Sequence, residues 1–493
     1  MTTQLNKKSL PASWAWSTIG AVTDVIMGQS PPGDTYNQDS NGIALINGPV
    51  EFGPTPFSKT LQTKFTTQPT KLCEQGDLIL CVRGSTTGRM NIAGSQACIG
   101  RGVAAIRAKI DQTYISIFVH SMQQEIYEMG TGSTFPNISS DNIKSIKIPV
   151  APLNEQHRIV ADIETQFTRL DAAVTALKRS QANLKRYRAA VLKAACEGRL
   201  VPTEAELAQA EGRSYEPASV LLERILTERR HKWEAENPKK KYQEPVGPDT
   251  SGLPELPEGW CWAKFDQLLL ELKNGYFKAR PSDEPIRLPI LRISAVRPLS
   301  VSFNSPKYLP DIDNEIVERY SLESGDLLFT RYNGNQEFVG ACGMVRQLNT
   351  VILYPDKLIR AKVPQSLVQP EYLEFYFATG IARRLIEQRI KSTAGQNGIA
   401  GSDIKELPVA IPPLAEQHRI VAEVERRLSL IDQLEKTIKT DLARANRLRQ
   451  SILKRAFAGQ LVPQDPNDEP AAVLLERIKA AKRGESVQVK LSL

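Results

Sequence analysis

One stretch of about fifty residues occurs twice in this chain, and that duplication limits the possible folds more than any other feature. PLNEQHRIVADIE, from Pro152, returns as PLAEQHRIVAEVE from Pro413, an offset of 261 residues. The alignment continues without a gap to GRLVP and GQLVP, which end at Pro202 and Pro463. Roughly 22 of the 51 aligned positions are identical. Self-similarity on this scale marks a repeated structural unit.

Weaker echoes precede each copy. LPASWAW, from Leu10, answers LPEGWCW, from Leu256, so Trp14 and Trp16 correspond to Trp260 and Trp262. QGDLILCVRGSTTG around Asp77 resembles SGDLLFTRYNGN around Asp326, and AIRAK ending at Lys109 resembles LIRAK ending at Lys362. The order is therefore variable module (1–151), repeated module (152–235), variable module (255–411) and repeated module (412–493). The segment 236–254 between the halves lies in a charged run rich in Pro and Gly, the composition of an exposed linker.

The repeated modules read as long helices. Val160, Ile163, Phe167, Leu170, Val174, Leu177, Leu184 and Val191 fall at alternating steps of three and four or their multiples. Val421, Val424, Leu428, Ile431, Ile438, Leu442 and Ile452 form the matching stripe in the second copy. That is coiled-coil spacing sustained for about five heptads. Ile163, Leu170, Val174, Leu177, Val424, Leu428, Ile431 and Ile438 are the candidate coiled-coil and subunit contacts. A helix from Glu155 to Cys196 would be roughly 60 Å long at about 1.5 Å per residue. Gly198 and Gly459 stand where a left-handed C-cap is expected, with Pro202 and Pro463 stopping any continuation.

Four polar residues interrupt the stripes: Gln181, Arg188, Glu435 and Arg449. Polar groups at a seam fix register at a cost in stability; at a frayed edge they are simply solvated, and both readings stand at this level. The EQHR tetrapeptides, Glu155–Arg158 and Glu416–Arg419, sit at helix starts, where a carboxylate complements the macrodipole. They read as capping or subunit-contact groups. Farther on, EPASVLLERI from Glu216 returns as EPAAVLLERI from Glu469 at an offset of 253, so the first copy holds eight extra residues. They fall in TEAELAQAEGRSYEP, whose good helix formers read as able to lengthen the arm by whole turns.

The variable modules have another texture. Short β-like runs (LILCV, VAAIRA, LLFTR, PILRISAV) alternate with Gly, Asn, Ser and Thr clusters, and helix is expected near Ile117–Glu128 and Glu371–Ile390. The fold class is thus α+β: two mixed domains alternating with two long antiparallel helical spacers in a pseudo-two-fold arrangement. The Trp pairs have period two and read as half-buried strand positions.

Composition narrows the chemistry. The chain has 493 residues and a formal charge of +8, an excess that permits an anionic partner without identifying one. Six scattered cysteines and four histidines fit neither a disulfide framework nor the usual zinc site. No stretch of 18 apolar residues and no leader-like start occur, so no membrane association and a cytoplasmic location are expected. The two Pro-Pro pairs, SPPG and IPPL, lack the neighbours of an adenine-methyltransferase motif, and there is no phosphate-binding GxxxxGK(S/T) loop. FVGACG from Phe338 is a weak glycine turn, and Pro355-Asp356 with Asp403-Ile404-Lys405 is chance-level as a nuclease motif. The chain reads as a non-enzyme that positions other proteins.

The LPxxWxW openings, the GDLIL and GDLLFTRYNGN segments, and GSTFPNISSDNIKSIKIPVAPLNEQHRIV with TAGQNGIAGSDIKELPVAIPPLAEQHRIV resemble a type I restriction-modification specificity subunit over essentially the whole chain. The resemblance implies that each variable module is a target recognition domain reading one half of a bipartite, asymmetric site in double-stranded DNA. It also implies that the paired helices space those domains and dock two modification subunits, with restriction subunits in the full complex. S-adenosylmethionine, ATP and Mg would belong to those partners, and this chain would bind no cofactor. A self-contained DNA methyltransferase and a coiled-coil scaffold without DNA contact are the alternatives. Base edges are read by Arg, Asn, Gln, Ser and Thr on loops that enter the grooves. The richest loops are Val82–Asn91 and Thr131–Asn137, then Leu272–Arg280, Thr330–Glu337 and Ser392–Gly398. The candidate DNA contacts are Arg83, Thr86, Arg89 and Asn137 in the first domain, and Lys278, Arg331, Asn333, Asn335, Gln336 and Asn397 in the second.

Overall fold

The computed structural model describes residues 10–130, 136–285, 288–310, 312–393 and 395–483. Two arm helices dominate it, Leu153–Cys196 and Leu414–Ala456, of 44 and 43 residues. The chain divides into two compact units, and neither is a linear segment: one holds 1–178 with 439–493, the other 179–438. Each unit combines a variable domain, the start of the arm that follows it and the end of the other arm. In each unit, therefore, the two arms run antiparallel.

Both variable domains are built on a four-stranded antiparallel sheet with the same connectivity. In the first, the order across the sheet is Thr23–Met27, Val103–Ala108, Leu78–Cys81 and Met90–Ile92. In the second it is Glu271–Asn274, Leu358–Lys362, Leu327–Thr330 and Cys342–Met344. A ribbon closes each domain onto its arm: Ala15–Thr18 pairs with Lys147–Val150, and Cys261–Lys264 with Pro408–Ile411. The expected LILCV, VAAIRA and LLFTR strands are present, whereas PILRISAV splits into Leu288–Ile290 and a 3-10 turn at Ile293–Ala295. The domains differ in what is added. The first carries a five-stranded sheet from Tyr36 to Ile99, and the second carries small ribbons of two or three strands.

The arm stripes are partly buried and partly half-buried along their length. Ile163, Val424, Ile431 and Ile438 are buried; Leu170, Val174, Leu177 and Leu428 are half-buried. The core of the first unit joins Ile159, Ile163 and Phe167 of one arm to Ile452, Leu453 and Phe457 of the other, under Tyr114 and Phe118. The Phe457 ring meets both of those rings edge-on, with centroids 5.2 and 5.0 Å away. In the second unit Val191, Leu192 and Cys196 meet Ile420 and Val424 beneath Tyr372 and Phe377. Three of the polar interruptions find partners. Arg188 pairs with Asp432 and lies 3.3 Å from Glu435. Arg449 pairs with Asp171 and stacks 4.6 Å above the Phe167 ring. Asp171 and Asp432 occupy the same repeat position, as do Arg188 and Arg449, so one cross-arm bridge occurs twice. Exposed pairs contribute little energy; these specify register. Gln181 is exposed.

The EQHR segments form internal joints, which the expectation of capping or subunit-contact groups did not capture. Glu155 is buried and accepts a 3.0 Å hydrogen bond from the Trp14 indole N–H; Glu416 does the same with Trp260. Gln464 Nε2 donates to the other oxygen of Glu155, and the backbone N–H of Glu204 donates to that of Glu416. The next residue repeats the logic. Gln156 accepts from the Asp111 N–H and donates to the Ala151 carbonyl, while Gln417 accepts from Gln369 and donates to Pro412. Arg158 then pairs with Asp468, and Arg419 with Glu204, both at 2.6 Å. Domain, arm start and the turn ending the opposite arm are thus clasped at one point in each unit. The Trp residues follow suit. Trp14 and Trp260 immediately precede their strands and are buried, Trp16 is exposed and Trp262 half-buried.

The arms end as expected, with Gly198 at φ 66° and Gly459 at φ 68°. The N–H groups of Arg199 and Gln460 reach back to the Ala194 and Arg455 carbonyls, which is the Schellman pattern. The insert of the first copy does not lengthen the arm. Glu204–Glu211 is a separate helix, with Thr203 accepting from the Glu206 N–H at its start and Gly212 in the left-handed conformation at its end. Two caps and the Gly198 stop isolate it. Its structural contribution is Glu204, which does for Arg419 what Asp468 does for Arg158.

Burial pushes the Glu155 and Glu416 carboxyls above the usual carboxylate range. Such a group favours the folded chain while protonated, and that contribution is lost as pH rises through its folded pKa. Glu416→Gln keeps an acceptor for Trp260 and removes the buried charge, but turns an NH2 toward the Glu204 N–H. Its melting temperature should therefore fall relative to the wild type as pH falls and the native carboxyl takes up its proton, because only the wild type gains from that protonation. Glu416→Ala leaves the two donors unpaired and should cost about 1–3 kcal/mol. Thermal denaturation across pH checks both.

Candidate nucleic-acid interface

In both domains the loop leaving the central strand pairs with the loop that precedes the last short helix before the arm. Arg83 bridges Asn137 in the first domain, and Tyr332–Asn333 pairs with Asn397–Gly398 in the second. Candidates about fifty or more residues apart in sequence are thus neighbours: Arg83 with Asn137, and Asn333 with Asn397 directly opposite.

The first-domain loop is shaped from within. Gly84 and Gly88 both lie at φ 84°, a conformation that disfavours any side chain. The Gly84 N–H donates to the Pro136 carbonyl, and the Thr87 hydroxyl reaches the carbonyls of both Gly84 and Pro136. Arg83, Arg89 and Asn137 are exposed on this frame. Thr86 is half-buried and turns its hydroxyl to the Cys81 thiol, which burial pushes up to about 12. Arg89 also borders a cavity of about 270 Å³ with Phe52, Thr55 and Gln123. Thr131–Phe135 of the expected TGSTFPN loop lie outside the described residues.

The second domain has a larger cavity of about 750 Å³, which of the six candidates there only Asn333 lines. Asn333 and Gln396 line it with Tyr276, Arg280, Arg297 and Lys357. Arg331 is half-buried, with its guanidinium 4.8 Å above the Tyr332 ring. Asn333 and Asn335 serve the loop itself, their side-chain oxygens accepting from the Asn335 and Glu337 N–H groups. The Asn397 amide donates to the Gly334 carbonyl. Gln336 and Lys278 are exposed, and the Gln336 carbonyl is held by Arg383.

Arg292, Arg297, Lys307 and Lys357 were missed as candidates. They come from separate strands and turns, and only the fold brings them to one cavity. Arg280 and Tyr276 lay inside a loop already singled out. Alternation around Gly275 was the available signal, since it sets one aromatic inward and the next outward. Among the described residues no group of three or more His, Cys, Asp or Glu side chains is placed to hold a metal ion, and no helix is long and apolar enough to cross a membrane. The resulting surfaces are cationic and amide-rich, and can bind phosphates and read base edges.

Residues 11–184 match the family model described as type I restriction modification DNA specificity domain. The chain is 31% identical to the type I restriction enzyme EcoKI specificity subunit of Escherichia coli (strain K12), over 96% of each chain. It is 25% identical to the StySPI specificity subunit of Salmonella potsdam, over 97% of each. Among solved structures, a chain from a study of complex assembly and conformational transition in the type I R-M system superposes with a TM-score of 0.65 at 18% identity, covering 92% of this chain and all of that one. The HsdS subunit from Thermoanaerobacter tengcongensis gives 0.53 at 17%, covering 92% and 99%. These last two establish likeness of fold.

If Thr87 is the stitch between the two first-domain loops, Thr87→Val should leave global stability nearly unchanged while loosening that junction. Hydrogen exchange at the Gly84 and Ile138 amides should speed up, with sheet amides such as Ala105 unaffected.

Proposed function

The chain belongs to the type I restriction-modification specificity subunits, and we propose that its two domains each read one half of a bipartite, asymmetric DNA site while its arms hold the catalytic partners. It is the DNA-recognition subunit of such a system, and catalysis belongs to other subunits. The alternatives, a self-contained methyltransferase and a scaffold without DNA contact, draw no support from relatives named as specificity subunits.

The observation that carries the bipartite reading is that two domains share one sheet topology and one attachment to the arms but differ in their loops. Two non-identical readers suit an asymmetric split sequence, as two identical readers suit a palindrome. Repeated surface positions on the arms and on the helices Ala218–Glu236 and Ala471–Arg483 that follow them support docking of two modification subunits. Tyr187 and Leu448 are one repeat apart and are 47% and 49% exposed. Val220 and Val473 correspond at the shorter offset and are 43% and 45% exposed. Apolar groups kept exposed at matching places fit two copies of one partner. In this reading the modification subunits bring S-adenosylmethionine, restriction subunits bring ATP and Mg, this chain binds no cofactor, and the assembly works on DNA in the cytoplasm.

Exchanging residues 253–410 for the matching domain of a relative should change one half-site and leave the other intact in genome-wide adenine-methylation maps. A change in both halves, or a contiguous parental site, would count against modular reading. The assembled complex should also lose DNA affinity steeply with salt, because phosphate contacts release counterions; a flat response would restore the scaffold alternative.

A further inference from the structure

Phe277 stands at the mouth of the second-domain cavity and is 69% exposed. Single exposed apolar residues are common on protein surfaces; this one is set apart by its surroundings and its support. Arg280, Arg297 and Lys357 line the same cavity, and Lys278 is the next residue in the chain. An apolar ring fringed by cations complements a polyanion with an apolar interior, which is the chemistry of stacked base pairs between phosphate chains.

The backbone holds the ring in place. Gly275 passes so close to the neighbouring strand that a Cβ there would lie 2.3 Å from the Tyr354 and Pro355 carbonyl oxygens. That approach lets the Tyr276 N–H donate to Tyr354 and its carbonyl accept from the Asp356 N–H. Tyr276 is buried, edge-on to Tyr320 at 5.6 Å. In an extended segment the following side chain points the other way. Phe277 is therefore presented outward on an anchored backbone.

At the matching place the first domain carries no aromatic ring. Asn274 pairs with Ile359, and Val25 with Ile106, the matching isoleucines of LIRAK and AIRAK. The first-domain strand runs two residues farther before the Gly28 and Gln29 N–H groups donate to Val103 and Ile99 as Gly275 and Tyr276 donate to Leu358 and Tyr354, so Phe277 corresponds to Ser30.

We propose that Phe277 is a wedge inserted between two base pairs of the half-site read by the second domain. The inference rests on the reading that this domain contacts DNA. Apolar wedges of this kind unstack a base step and kink the duplex toward the major groove, bringing more protein surface into contact. Because flexible pyrimidine–purine steps deform most readily, Phe277 selects sequence at its step without hydrogen-bonding a base.

The test uses the chain assembled with its modification subunits and duplexes carrying its mapped site, with 2-aminopurine placed in turn along each half-site. The wild-type complex should raise the fluorescence at one step in the second-domain half-site. Phe277→Ala should abolish that rise and weaken specific binding about tenfold, while responses in the other half-site stay as in wild type. Phe277→Trp should retain the rise. Because the side chain is exposed, neither substitution should disturb folding, which the melting temperature verifies. Specific binding by wild type with no fluorescence change anywhere in that half-site overturns the wedge and leaves the recognition reading intact. An undiminished rise with Phe277→Ala does the same. Binding of the mapped site no tighter than unrelated DNA overturns both.

Discussion

A buried carboxylate accepting an indole N–H at the first turn of each arm is the interaction on which the rest of the structure depends. Glu155 with Trp14 and Glu416 with Trp260 fix where a domain meets its arm, and the second oxygen of each carboxylate takes a donor from the turn that ends the opposite arm. Desolvating a carboxylate is expensive, so such a joint persists only where both oxygens are satisfied. Here each oxygen has a donor, and the neighbouring glutamine saturates the adjoining backbone. Every loop that could meet a ligand is carried by a domain anchored in this way.

The units share a frame and diverge around it. The frame consists of the four-stranded sheet, the closing ribbon, the arm start and the clasp; the added sheet of the first domain and the ribbons and cationic cavity of the second are private. The same partition suits the proposed function, in which surfaces that meet identical partners repeat and surfaces that discriminate between two sequences differ. The eight-residue insert illustrates the tolerance of the frame: an extra helix is accommodated because Glu204 supplies the carboxylate that Asp468 provides in the other copy.

The arms were legible in the sequence because coiled-coil spacing and glycine stops are local signals, and Ile163, Val424, Ile431 and Ile438 are buried where that spacing put them. The main sheet strands were legible for similar reasons. The clasps were not. The pairing of Glu155 with Trp14 joins residues 141 positions apart, and no local pattern distinguishes a buried glutamate at a helix start from a solvated one. The insert misled for the opposite reason. Its helix propensity was real, but propensity does not say whether a helix continues its predecessor, and here the left-handed Gly198 forbids it. At the interface, polar loops could be picked out by composition, whereas Arg292, Arg297 and Lys307 converge only through tertiary structure.

Because the first unit needs residues 439 onward, the order of synthesis and the order of completion are reversed. The first variable domain is translated well before Ile452, Phe457 and Ala471, which complete its core. The second unit has its whole sequence in hand by residue 438. Nascent chains fold domain by domain as they emerge, so residues 179–438 can consolidate while the first variable domain still waits with an open apolar face for residues 439 onward.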